Sequence, residues 1–171
     1  EPRVDGTRGR GVNVQKGAAL TLTRGVLVDN HAMGLYAGGE GASAAVTDAL
    51  IARTQPEADG TGGRGVSVQE VVALTLTRSV LVDNHEIGLF ASGEGTTADV
   101  TDVLIARTEP RADGTRGRGV NVQEGAALTL TRSVLVDNHD TGLFAGAEGV
   151  TAYVADVLVA RTQPEADGTG G

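Results

Sequence analysis

Apolar and polar residues alternate with period two through short stretches of the chain. They read LTL at Leu74 to Leu76, SVLV at Ser79 to Val82, GLFA at Gly88 to Ala91, DVTDVLIA at Asp99 to Ala106 and GVNV at Gly119 to Val122. This period marks strands with one buried face, and the Gly, Asn, Asp and Pro between the stretches are turn residues. Strands of roughly three to five residues joined by tight turns are predicted.

The stretches recur. The segment ALTLTRSVLVDNHEIGLFA from Ala73 to Ala91 returns almost unchanged as Ala19 to Ala37 and Ala127 to Ala145, a step of 54 residues. A fixed period indicates units stacked on one continuous core. The repeats span 11–64, 65–118 and 119–171, within a single solenoid segment covering 1–171. A propeller blade has a similar length, about 50 residues in kelch repeats, but three blades do not close a ring. Sliding the unit on itself decides the matter: ALTLTRSVLVDN at 73–84 aligns position for position with TADVTDVLIART at 97–108. Each unit is therefore two coils, A of 24 residues and B of 30, with the excess in the loops PEADGTGGR and PRADGTRGR.

An all-β, single-stranded parallel β-helix of about six coils and three sheets is predicted. Its inward positions form three rows: Leu22, Val46, Leu76, Val100, Leu130 and Val154; Leu27, Ile51, Leu81, Ile105, Leu135 and Val159; and Leu35, Val66, Leu89, Val120 and Leu143, with Ala37, Val68, Ala91, Val122 and Ala145 beside the third. Parallel sheets normally bury both faces, but a coil wound on itself buries only the inner one, which keeps the period at two.

Leu76, Ser79, Leu81, Asn84, Gly88 and Leu89 follow the pattern V-x-x-S-x-L-x-x-N-x-x-x-G-L. This pattern resembles the repeat of the right-handed β-helix, or pectin-lyase-like, superfamily, over the whole chain. The resemblance implies a right-handed coil, a bacterial surface or secreted protein, and turn asparagines at Asn30, Asn84 and Asn138 that satisfy backbone groups between coils. Coil B has Thr54, Thr108 and Thr162 there, which interrupts a continuous asparagine ladder. The superfamily holds lyases, hydrolases, adhesins and tail spikes, so the motif speaks for fold rather than activity.

Composition narrows the picture. The chain has two Phe, two Tyr, no Trp and one Met, so Leu, Val, Ile and Ala must fill the core, and 26 Gly favour turns over helices. A net charge of −8 disfavours nucleic acid, which needs a basic stripe. Without cysteine there is neither a disulfide framework nor a thiolate metal site. No apolar run approaches the ~20 residues of a membrane helix, and the first residues do not read as a signal peptide. Because both termini cut through a repeat without a capping sequence, the chain is expected to belong to a longer array, with end-to-end association through uncapped ends.

Two rows alternate in charge: Arg24, Asp48, Arg78, Asp102, Arg132 and Asp156, and Asp29, Arg53, Asp83, Arg107, Asp137 and Arg161. They are expected to form ion-pair ladders at the ~4.8 Å rung spacing, fixing coil order, with opposite charge above and below each member. The loop corners are the candidate binding surface, through Pro56, Asp59, Thr61 and Arg64 and then Pro110, Asp113, Thr115 and Arg118. Asp-Gly is first a turn signal. A row of identical tips would suit an extended polysaccharide, while their carboxylates are too few for the 6–8 oxygens of calcium. His31, His85 and His139 would stand ~9.6 Å apart on alternate rungs, too far for one metal. Outward Thr23, Thr47, Thr77 and Thr101, joined by Thr21, Thr75 and Thr129, read as strand residues; a water-ordering face of the ice-binding kind is interrupted by Ala45, Asp99 and Tyr153. An active site needs unlike groups that converge, whereas each unit repeats the same ones. No catalytic residue, cofactor or metal ligand is assigned. The expected role is structural or adhesive; the alternative is the non-catalytic portion of a polysaccharide lyase or glycoside hydrolase.

Overall fold

The computed structural model describes residues 9–164. Among these the chain is all-β, with three parallel sheets of six strands wound as a solenoid. Sheet 1 comprises Arg10–Gln15, Met33–Gly38, Arg64–Gln69, Ile87–Ser92, Arg118–Gln123 and Leu143–Ala145. Sheet 2 comprises Ala19–Thr23, Ser43–Thr47, Ala73–Thr77, Thr97–Thr101, Ala127–Thr131 and Thr151–Ala155. The short strands Val26–Val28, Leu50–Ala52, Val80–Val82, Leu104–Ala106, Val134–Val136 and Leu158–Ala160 make sheet 3. Each coil contributes one strand to each sheet, giving six coils.

The register is the one the repeat alignment predicts. Leu76 pairs Val46 and Val100, Leu81 pairs Ile51 and Ile105, and Leu89 pairs Val66 and Val120. In the middle coils these residues have no solvent exposure. A further inward column in sheet 2 runs Leu20, Ala44, Leu74, Ala98, Leu128, Ala152. Here coil A supplies the large residue and coil B the small one, while in sheet 1 Ala91 of coil A stacks on Val68 and Val122 of coil B. Volume lost at one wall is regained at another, which keeps the narrow core filled as close packing requires and gives the two-coil period a physical reason. At Gly88 the coil packs too closely for any side chain: a Cβ there would lie 2.5 Å from Ile105 Cγ2 and 2.7 Å from the Gly119 carbonyl oxygen.

Both charge rows sit at the tight corners flanking sheet 3, and all twelve residues adopt the left-handed conformation, with φ from 46° at Arg78 and Arg132 to 57° at Asp102. Such a backbone costs roughly 1 kcal/mol for a non-glycine residue. In return the parallel ladder turns the corner unbroken. The Arg78 N–H donates to the Thr101 carbonyl at 3.0 Å and the Asp83 N–H to the Ala106 carbonyl at 3.1 Å, each in the following coil.

Candidate functional site

The ladders form, with one correction to the expected pattern. Every arginine that is paired binds the aspartate of the coil before it, through two parallel hydrogen bonds: Arg53 with Asp29, Arg78 with Asp48, Arg107 with Asp83, Arg132 with Asp102 and Arg161 with Asp137. Distances run from 2.6 to 3.1 Å. The rows are thus broken into separate pairs: each of these guanidinium groups turns its Nε and Nη2 edge onto one aspartate, and among the described residues no hydrogen bond joins it to the aspartate of the following coil. Arg78 acts on Asp102 only through its charge, as Arg24 does on Asp48. Hydrogen bonds from the arginines hold the carboxyls of Asp29, Asp48, Asp102 and Asp137 below the ordinary value; loss of hydration opposes them, and the arginine charge adds a smaller lowering.

The asparagines also reach backward. Asn84 Oδ1 accepts from the Thr54 N–H at 3.1 Å and its amide donates to the Ile51 carbonyl at 3.0 Å. Asn138 repeats this on Thr108 and Ile105, and the Thr108 hydroxyl donates to it at 2.7 Å. The threonine that interrupts the asparagine row is therefore the asparagine's partner. Asn30 stands in the first described coil, so no described coil lies behind it. Ser79 and Ser133 do the same work at the other corner, accepting from the N–H groups of Ala49 and Val103.

The loops are turns whose aspartates, though exposed, bond within the turn itself. Asp59 Oδ1 accepts from both the N–H and the hydroxyl of Thr61, at 2.9 and 2.7 Å, and Asp113 accepts from Thr115 at the same distances. The bonds to Thr61, main chain then hydroxyl, hold the Asp59 carboxyl below its usual range; for Asp113 the Thr115 hydroxyl leads. Pro56 bridges Gly62 across the loop. Successive loops lie against one another, since a Cβ on Gly60 would be 3.4 Å from the Ala112 Cβ. Arg64 and Arg118 are not at the tips, contrary to expectation. They begin strands of sheet 1 and fold over its outer face, 4.3 Å from the ring centres of Phe90 and Phe144, as Arg10 covers Tyr36 at 3.8 Å. An extended aliphatic stem ending in a planar cation covers an aromatic ring better than water does, so Phe90 is buried on a face that alternation would leave wet.

Under the second loop lies a residue that repeat reasoning passed over. Glu86 is fully buried in the left-handed conformation, φ 57°, directly after His85. Its carboxylate receives Arg64 at 3.0 and 3.2 Å, Arg116 at 2.5 Å, Arg111, and the Gly62 N–H at 3.2 Å. Its main-chain carbonyl accepts from Gly117 and Arg118, both at 3.0 Å. Glu86 thereby ties the first loop, the second loop and sheet 1 together. Burial alone would raise its carboxyl; the hydrogen bonds and charge of Arg64, with the charges of Arg111 and Arg116, outweigh that and leave it below the ordinary value. The equivalent positions are Ala32 and Asp140, the latter bound to Arg118 at 2.6 Å. The signal in the sequence is a concerted difference. The loop beside Ala32 has Glu57 and Gly62 where the loop beside Glu86 has Arg111 and Arg116.

His31, His85 and His139 occupy corner bridges to Gln55, Glu109 and Gln163. Among the described residues no three His, Asp or Glu side chains gather as metal ligands would. The outward threonine column is continuous through Thr23, Thr47, Thr77, Thr101 and Thr131, with the last two hydroxyls 2.9 Å apart. Among the described residues no helix is long and apolar enough to cross a membrane. Comparison with family models, with curated proteins and with solved structures gives no match to this chain.

Proposed function

We propose that this chain is a rigid structural spacer, part of a secreted or surface protein of the β-helix kind its repeat pattern resembles. One observation carries the reading: the charged, amide and hydroxyl side chains of each corner are committed to the neighbouring coil, by bidentate Arg–Asp pairs, Asn–Thr contacts and Ser caps. Repeated contacts of that kind fix the rise from coil to coil and resist bending, which is what a spacer requires. At the loop tips one carboxylate oxygen of Asp59 and of Asp113 is already taken by the neighbouring threonine, which leaves less of each carboxylate for a polysaccharide lying along the corner.

The absence of cysteine permits a direct test. Spin labels on Thr23→Cys and Thr131→Cys, four rungs apart in one column, should give a narrow distance distribution centred near ~19 Å plus the label arms. A broad distribution would remove the spacer reading. Binding that strengthens with glycan chain length would instead give the loop corner an adhesive role, and depolymerisation of the glycan a catalytic one.

A further inference from the structure

We propose that the outer face of sheet 3 is a docking surface for a second copy of this chain, with the two solenoids lying side by side. The starting point is a failure of the apolar–polar alternation. Among the outward positions of sheet 2 threonine predominates, and in sheet 1 Arg64 and Arg118 cover the outward rings. In sheet 3 every outward residue is Val, Leu or Ala. In the inner coils these are Val80 and Val82, Leu104 and Ala106, and Val134 and Val136, stacked rung on rung while Leu81, Ile105 and Leu135 point the other way. Val80, Leu104 and Val134 are half-buried and keep part of their surface in water. A three-residue strand gives the core only its middle side chain, so the interior does not require apolar residues at the other two positions. A contiguous apolar strip rimmed by polar groups marks a contact surface.

The charge rows along the two edges of the strip say what covers it. Within any one coil the two rows carry opposite signs: Arg78 with Asp83, Asp102 with Arg107, Arg132 with Asp137. Pairing inside the chain does not hide these charges, since the Arg78 and Asp48 side chains remain 57% and 39% exposed. Two copies placed sheet 3 against sheet 3, about a two-fold axis parallel to the solenoids, bring each row onto the other row of the same coil. Arg78 then faces Asp83 of the second copy, and Asp102 faces Arg107. If the solenoids run in opposite directions each row faces itself, and Arg78 meets Asp102 when the two-fold axis passes between their coils. Face-to-face sheets stand ~10 Å apart, a gap that an arginine and an aspartate can bridge from opposite sides. In either arrangement a slip of one coil would set like charge on like at every rung, so the rows select the register. The strip runs along six rungs and covers roughly 450 Å² on each copy, from ~4.8 Å per rung and ~3.3 Å per residue. About 900 Å² in all is less than the roughly 1,200–2,000 Å² of stable complexes, so the dimer is weak. A two-fold contact uses the same patch on both copies and therefore stops at two.

Sedimentation velocity of the whole chain, from micromolar to millimolar concentration, tests this. The proposal expects a monomer–dimer equilibrium with no larger species. Added salt should weaken the dimer only modestly, because the apolar strip rather than the exposed charges carries the affinity. Val80→Thr combined with Leu104→Thr keeps strand-favouring side chains and the net charge, and should weaken dimerisation on the order of tenfold or more. Thr75→Gln, at an exposed position on the outer face of sheet 2, should leave it unchanged. Circular dichroism would establish that each variant keeps its sheet content; should the double variant lose it, Val134→Thr, a single change in the same strip, takes its place. A chain that stays monomeric throughout, open-ended growth into larger species, strip variants that dimerise as well as the parent, or equal loss in Thr75→Gln would each overturn the proposal.

Discussion

Replacing Leu81 by Asp is expected to unfold the middle of the solenoid, at a cost of about 4 kcal/mol or more. Leu81 has no solvent exposure and lies between Ile51 and Ile105 in the second inward row. The stacked positions of that row are all aliphatic, so a carboxylate there would be buried among apolar side chains without an opposite charge, or would have to take up a proton. Neighbouring coils depend on each other for their cores, so the damage should spread to both sides. Val82, one residue on, points outward and is half-buried. Val82→Asp should change stability by no more than about 1 kcal/mol. Chemical denaturation of the two variants compares them directly, and equal losses would mean that the inward and outward assignments are off by one residue.

Glu86→Ala should cost on the order of 3 kcal/mol, the penalty for removing one partner from a buried ionic cluster. Arg64, Arg111 and Arg116 would then crowd together without the carboxylate that orders them, and the link between the two loops would be lost. The backbone should tolerate alanine, since Ala32 holds the same corner at φ 60°. Adding Arg111→Glu and Arg116→Gly reproduces the residues found beside Ala32 and should recover much of the loss. Acid provides a second reading of the same cluster. The folded-state carboxyl titrates below its unfolded value, so its contribution is present above about pH 4 and is lost as pH falls through the lower, folded value. Glu86→Gln should flatten that part of the stability profile, measured by denaturation between acid and neutral pH.

Most of the architecture was legible because a solenoid writes its geometry into its repeats. The 24-residue slide that aligned Leu81 with Ile105 is a statement of which residues stack, and the sheet register follows it rung by rung. The ladders were legible as rows but not as pairs. Strict alternation of Arg and Asp is symmetric along the chain, while the reach of a guanidinium from a left-handed corner is not, so the direction of pairing is set by three-dimensional geometry that the alternation does not encode. Glu86 escaped for the opposite reason. Reading by repetition favours what recurs, and this residue matters where the repeats differ, as Ala32, Glu86 and Asp140. Arg64 and Arg118 were placed in the loops because they end the inserted segment. Their position over Phe90 and Phe144 depends on a contact 26 residues along the chain, which no local pattern records.

The central claim is that each paired ladder arginine binds the aspartate of one neighbouring coil, the one before, and not that of both. Two double-mutant cycles sharing Arg78 address it, one with Asp48 and one with Asp102, each side chain replaced by alanine and stability measured at low and high salt. The account predicts clear coupling between Arg78 and Asp48, reduced by salt, and coupling near zero between Arg78 and Asp102. Equal coupling in the two cycles, or coupling only with Asp102, would contradict it.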